Sequence, residues 1–226
     1  MCTHPNQGTG YARVANKLTN YLADLPGVEI VYYAFQNYPG QDIKDRFIDP
    51  RIKFYDAIEI DSESPKGFGD KGILPTIIKE KPDVLFLYND LPVTTMIMDM
   101  IPPEHMPPKK YVYLDIVYPW ERLSYYDRLK HHNPDVIWVF LECWKKHLVE
   151  DLHFEESKVT VLPHGVDFER FVDVPRHEAK VKWGFDKDDY IVINMNRNSY
   201  RKQWCTTIKS FLDFLREQNM NPKIKL

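Results

Sequence analysis

Val84-Leu85-Phe86-Leu87-Tyr88 is an unbroken apolar run, introduced by Pro82-Asp83 and followed by a helical pattern over Leu91 to Ile101. Without polar alternation it suits a strand buried on both faces, as in a parallel sheet covered by helices. The unit recurs. Tyr111 to Val117 precedes a helix over Glu121 to His131, and Asp135-Val136-Ile137-Trp138-Val139-Phe140 precedes one over Cys143 to Leu152. Val159 to Leu162 adds another strand. Upstream, Tyr11, Val14, Leu18, Tyr21, Leu22 and Leu25 recur at helical spacing until Pro26-Gly27. Val28 to Phe35 is β-rich, Ile52 to Ile60 reads as extended, Ser62 to Gly72 as a surface loop, and Ile73 to Lys81 as a helix.

Strands alternating with helices predict an α/β fold, a parallel sheet with helices on both faces. The 226 residues allow one large domain or two modest ones. Gly165, Pro175 and the charged 173–182 stretch interrupt the rhythm. The expected division is a domain over 1–170, a linker over 171–188 and a second unit over 189–226. That unit holds a strand at Tyr190 to Met195, a helix over Lys202 to Gln218 and a strand at Lys223 to Leu226.

A net charge of -3 gives no support for broad binding to nucleic acid or an anionic membrane. Cys2, Cys143 and Cys205 are scattered, with no CxxC pair or Cys/His cluster for zinc or a disulfide framework. Cys143 and Cys205 fall in helical segments, where buried small hydrophobes are expected. Met1-Cys2-Thr3-His4-Pro5 lacks the basic start and apolar run of a signal peptide, and no stretch reaches membrane-spanning length. The expectation is a cytoplasmic protein.

Three segments carry candidate chemistry. Gly8-Thr9-Gly10-Tyr11-Ala12-Arg13 opens the first helix, where free N–H groups meet an anion or a sugar hydroxyl; a tight turn of two glycines is the structural alternative. A dinucleotide fingerprint would need a third glycine where Arg13 stands and a strand before the loop, but residues 1–7 are polar. In Pro163-His164-Gly165-Val166-Asp167, Gly165 can take a positive φ, Asp167 can cap a short Phe168 to Phe171 helix, and His164 can be a plain turn residue. In Asn196-Arg197-Asn198-Ser199-Tyr200-Arg201-Lys202, cations crowd a helix start that the helix dipole disfavours for them, so Arg197 and Lys202 point to a bound diphosphate, with a solvated basic helix start as the structural alternative. Asp115 and Asp90 follow strands at the edge where open α/β sheets bind ligands; a helix cap or loop hydrogen bond would account for either without chemistry. His131, His132 and His147 lack an acidic partner at ligand spacing and read as surface residues.

Together, the Gly8–Gly10 loop with Arg13-Val14, the strand order, Pro163 to Asp167 and the Arg197 to Phe211 stretch resemble family 4 glycosyltransferases. These are retaining enzymes of the GT-B type, with two Rossmann-like domains. The resemblance implies transfer of a sugar from a UDP- or GDP-linked nucleotide sugar to a glycan or other hydroxyl acceptor, with no metal or other cofactor. Arg197 and Lys202 match the Arg and Lys, five residues apart, that bind the donor diphosphate. Gly8 and Gly10 match the glycine loop, His164 and Gly165 the interdomain hinge, and Asp115 is the candidate catalytic carboxylate. Gln203 and Asn196 stand where the family has glycine. The first strand is missing or cut short, and the Glu-x7-Glu segment that holds the sugar and ribose is absent. A truncated donor domain, covered by a partner chain, is therefore expected. A non-catalytic glycan- or partner-binding module on the same scaffold is the alternative, and an NAD enzyme a distant third.

Overall fold

The computed structural model describes residues 1–40, 46–64, 66–166, 168, 171–196 and 198–226. The chain forms two compact units, Met1–Gly165 and Val166–Leu226. Arg197 and Asp167 lie outside the described residues, as do two residues of the expected Phe168 to Phe171 helix.

In the first unit, β1 (Cys2–Thr3) precedes α1 (Gly10–Ala23), β2 (Val31–Phe35), β3 (Lys53–Asp56), α2 (Ala57–Ile60) and α3 (Asp70–Glu80). There follow β4 (Val84–Asn89), α4 (Leu91–Asp99), β5 (Lys109–Leu114), α5 (Leu123–His132), β6 (Val136–Val139), α6 (Glu142–Lys146) and β7 (Val159–Val161). All strand pairs are parallel, in ladders β1-β2-β3 and β4-β5-β6-β7. Met1 joins the two ladders. Its amine donates to the Phe86 carbonyl at 2.7 Å and its carbonyl accepts from the Tyr88 N–H at 3.3 Å. The strand order is then β3-β2-β1-β4-β5-β6-β7, a doubly wound, Rossmann-like arrangement whose order reverses between β1 and β4. The first strand is thus present, two residues long and in register with Ala34 and Phe35.

The apolar runs divide between two faces with period two. Leu85, Leu87, Val112, Leu114, Ile137 and Val139 pack with Ile73, Ile77, Ile97, Met98 and Leu129 of the helices. Tyr32, Tyr88, Tyr113, Phe86, Trp138 and Phe140 form the opposite face, with Ala15 and Ala23 of α1. Over β4 to β6 one face is aliphatic and the other aromatic, while β2 adds Tyr33 and Phe35 to the first face and Ala34 to the second.

Several expectations are corrected. Ile52 to Ile60 is not one strand: Asp56 ends β3, and its carboxylate accepts from the Ile58 N–H at 2.9 Å and so starts α2. The helix α3 begins inside the stretch read as a loop, after Gly69, whose φ of 63° and close approach to Tyr33 and Ala57 require glycine. Cys143 and Cys205 are exposed, and only Cys2 is buried. The helix after β6 is split, with α6 passing into a wider π-type turn over His147–Asp151.

The second unit holds α7 (Arg176–Lys182), inside the stretch read as a linker, then β8 (Tyr190–Ile191), α8 (Trp204–Glu217) and β9 (Ile224–Lys225). The pairing of β8 with β9 is parallel, so α8 is the crossover of one βαβ unit. The strand expected over Tyr190 to Met195 is only two residues long. Among the described residues of this unit no hydrophobic side chain is buried; Met195 and Tyr200 are 90% and 94% exposed. Asp189 is the one residue buried, its carboxylate taking the Asp186 N–H at 3.0 Å.

Burial pushes the Met1 amine down from 8.0 to about 6. Between those values the unfolded chain holds a proton that the folded chain has released, so stability rises with pH across that window. The rise should be about 2–3 kcal/mol, read from urea unfolding between pH 5.5 and 8.5, and acetylating the amine should flatten it.

Candidate functional site

The glycine loop follows β1, beside the reversal of strand order between β1 and β4 and at the carboxyl ends of the strands, where open α/β sheets bind ligands. The loop is fixed from several sides. His4 N–H bonds the Phe35 carbonyl at 2.7 Å, extending the β1 ladder. The Arg46 guanidinium donates to the carbonyls of Pro5 and Gln7 at 2.7 and 2.6 Å, and the buried Gln7 amide donates to the Gln36 carbonyl. The His4 imidazole lies 3.6 Å from Asp56, both side chains only 6% exposed. Thr9 then caps α1, its hydroxyl accepting from the Ala12 N–H at 3.2 Å. Gly10 is the first helical residue. It has no positive φ, and a Cβ there would meet nothing within 4 Å. No steric demand of this chain calls for glycine at that position, and the open space above it is the room a ligand would use.

Beside the loop stand two carboxylates from matching segments, Tyr88-Asn89-Asp90 and Tyr113-Leu114-Asp115. The register pairs Tyr88 with Tyr113 and Asn89 with Leu114, and the Asp115 N–H extends the ladder to the Asn89 carbonyl at 3.3 Å. The two tyrosine rings stack with centroids 4.8 Å apart. Tyr11, in the first turn of α1, packs against Tyr88 at 5.2 Å and its hydroxyl donates to Asp90. Burial, followed by the charge of Asp90, pushes the Tyr11 phenol far above its ordinary value, with Asp115 adding to it. The phenol therefore stays protonated and acts as a donor. Burial and the charge of Asp90 also raise the Glu121 carboxyl. Asp90 precedes α4 without capping it, so its side chain serves Tyr11 rather than the helix.

His164 is more than a turn residue. Its ring stacks on Phe140 at 5.1 Å, stands edge-on to Tyr113 at 5.5 Å, and its Nε2 lies 3.2 Å from the Tyr88 hydroxyl. The Tyr113 hydroxyl donates to the Leu162 carbonyl at 2.5 Å, which ties the segment after β7 to the same aromatic row. Gly165 does not use a positive φ, and a Cβ there would meet nothing within 4 Å. His132 and His147 both have acidic partners, contrary to expectation: Asp99 at 2.5 Å and Asp151 at 2.8 Å. The short first strand removes one objection to a dinucleotide site, but Arg13 still occupies the third glycine position. Gln36, and no acid, follows the end of β2 where a ribose carboxylate belongs.

In the second unit Lys202 ends a short turn over Tyr200–Lys202 that leads into α8, with its N–H bonded to the Ser199 carbonyl at 2.9 Å. Gln203 follows in the left-handed region, φ 52° and ψ 45°. Among the described residues, no group of three or more His, Cys, Asp or Glu side chains could hold a metal ion, and no helix is long and apolar enough to cross a membrane.

The structure thus brings Gly8, Gly10 and Asp115 to one edge of the sheet and adds Tyr11, Asp90, Tyr88 and Tyr113, which the sequence reading did not bring together. Tyr11→Phe should keep the fold and cost about 1–2 kcal/mol in urea unfolding, because it removes the phenol's hydrogen bond to Asp90. Gly10→Ala should fold at least as stably as the parent, since the position is helical and open. No protein-family model and no curated protein matches the chain.

Proposed function

We propose that the chain is a retaining glycosyltransferase of the GT-B type, or a piece of one, that takes a sugar from a nucleoside-diphosphate sugar. The observation that carries this reading is the open helix start at Gly10, set beside Tyr11, Asp90 and Asp115 at the strand-order reversal. Backbone N–H groups there suit hydroxyls or an anion, and the carboxylates suit the hydrogen-bond donors of a sugar or acceptor. Asp115, whose neighbour Asp90 is engaged by Tyr11, accepts the hydrogen bond of the incoming hydroxyl. That hydroxyl's oxygen bonds to the anomeric carbon as the bond to the diphosphate breaks. Arg197 and Lys202, on the second unit, neutralise the departing diphosphate in the role a metal ion can fill elsewhere.

Gln203 supports the phosphate loop independently. The resemblance places glycine immediately after the lysine, and the backbone at Gln203 adopts the left-handed conformation for which glycine is the natural occupant. Gln203→Gly should therefore stabilise the second unit by roughly 0.5–1 kcal/mol, measured as increased amide protection along α8.

Calorimetry of the full chain with UDP, GDP and their sugars tests the donor site. One nucleotide series should bind, and the Arg197→Ala, Lys202→Ala double variant should weaken it roughly 30-fold or more. Absence of binding in the parent, or equal binding by the variant, would overturn the assignment. The exposed apolar side chains of the second unit favour the second reading, a non-catalytic module that pairs with another chain. No nucleotide binding, together with a stable complex to a partner, would select it.

A further inference from the structure

On the aliphatic side of the first unit lies an open cleft of about 480 Å³, within the range of small-ligand pockets. None of its lining residues belongs to the Gly8–Gly10 loop or to the Tyr11, Asp90 and Asp115 group. Phe68, Val93, Met96, Tyr38 and Tyr125 line it, and Lys66 and Arg128 are the basic residues of its lining. Among the described residues, no carboxylate lines it. Asp99, outside it, accepts from one guanidinium nitrogen of Arg128 and divides its charge with His132. The guanidinium carbon lies 5.7 Å from the centroid of the Tyr125 ring, over its face.

One wall is built to hold its shape. Gln36 sits in the left-handed region at φ 64°, unusual for a residue with a side chain. It is held there by its N–H to the Gly67 carbonyl at 2.7 Å and by the Gln7 amide on its own carbonyl. The Tyr38 hydroxyl donates to the Lys66 carbonyl at 2.7 Å, which fixes the backbone of the residue carrying one cation. Gly67 has φ 66°, and a Cβ would approach the Tyr38 hydroxyl to 3.1 Å and Gln36 Cα to 3.2 Å, so this closeness needs glycine. Such backbone persists where the surroundings over-determine it, and it gathers at ligand sites.

We propose that this cleft binds an amphipathic anion: an apolar chain or ring that ends in a phosphate or carboxylate. The apolar body lies along Phe68, Val93, Met96 and the two tyrosines, and the head meets Lys66 and the Arg128 donors that Asp99 does not take. The lining is mostly apolar, so an anion alone gains little there. Arg128 keeps Asp99 as a partner, so the added attraction for an anionic head comes from Lys66 and the remaining guanidinium donors of Arg128. The site does not depend on the glycosyl-transfer reading, and nucleotide binding through Lys202 can fail or succeed without touching it.

The test is titration of the full chain, followed by NMR or calorimetry, with geranyl phosphate, decanoate, geraniol and inorganic phosphate. Geranyl phosphate or decanoate should bind, and which of the two binds more tightly identifies the head group. Geraniol and inorganic phosphate should each bind at least about tenfold more weakly, since each lacks half of what the cleft offers. Lys66→Gln, an exposed substitution that leaves the packing alone, should weaken the anionic amphiphile roughly fivefold and leave geraniol unchanged. Arg128→Gln should act in the same direction, with Lys66→Gln deciding the matter if loss of the Asp99 pair unfolds the chain. Equal binding of geraniol and geranyl phosphate, binding of phosphate alone as tightly as its ester, indifference to Lys66→Gln, or no binding by either amphiphile would overturn the proposal.

Discussion

Met1 and the two residues after it hold the central position in the first unit. Three backbone units complete the ladder between β2 and β4 and turn two separate sheets into one surface with a single reversal of strand order. Everything placed at that reversal, the glycine loop above all, depends on so short a strand being held on both sides. The surrounding bonds supply that hold: Arg46 and Gln7 grip the loop from one side, and Tyr11 secures the first turn of α1 to Asp90 from the other. A two-residue strand would contribute little alone. Between two partners its groups are buried and paired, and a buried backbone group left unpaired costs about as much as a lost hydrogen bond.

The alternation of strands with helices was legible because Val84 to Tyr88 and its two successors are too apolar for a half-exposed strand. The same letters held more. Leu85, Leu87, Val112, Leu114, Ile137 and Val139 alternate with Phe86, Tyr88, Tyr113, Trp138 and Phe140, so the aliphatic and aromatic faces are written in period two. That pattern, with Tyr-x-Asp ending two adjacent strands, would have found the Tyr88, Tyr113, Asp90 and Asp115 group. Asp56 followed three residues on by Glu59 is a helix-start signature, and it was hidden inside a run that otherwise looks extended. The His147–Asp151 pair was also visible as an i, i+4 spacing.

Other features could not be read from the chain. The Asp99–His132 pair joins α4 to α5 across 33 residues, and the Tyr11–Asp90 bond spans 79. Such contacts exist only once the helices are docked. Exposure of Cys205 follows from the second unit as a whole, where an amphipathic helix covers a two-stranded ladder too small to bury its apolar side chains. Local pattern set the helix, and the amount of neighbouring surface set the exposure.

The two units should therefore differ in how heat unfolds them. The heat-capacity increase on unfolding comes from newly hydrated apolar surface, and among the described residues the buried apolar side chains belong to the first unit. The main calorimetric transition then reports Met1–Gly165 almost alone, while Val166–Leu226 melts with little enthalpy and little cooperativity. A molecule that covered the second unit would make itself known by a heat-capacity step larger than the first unit supplies.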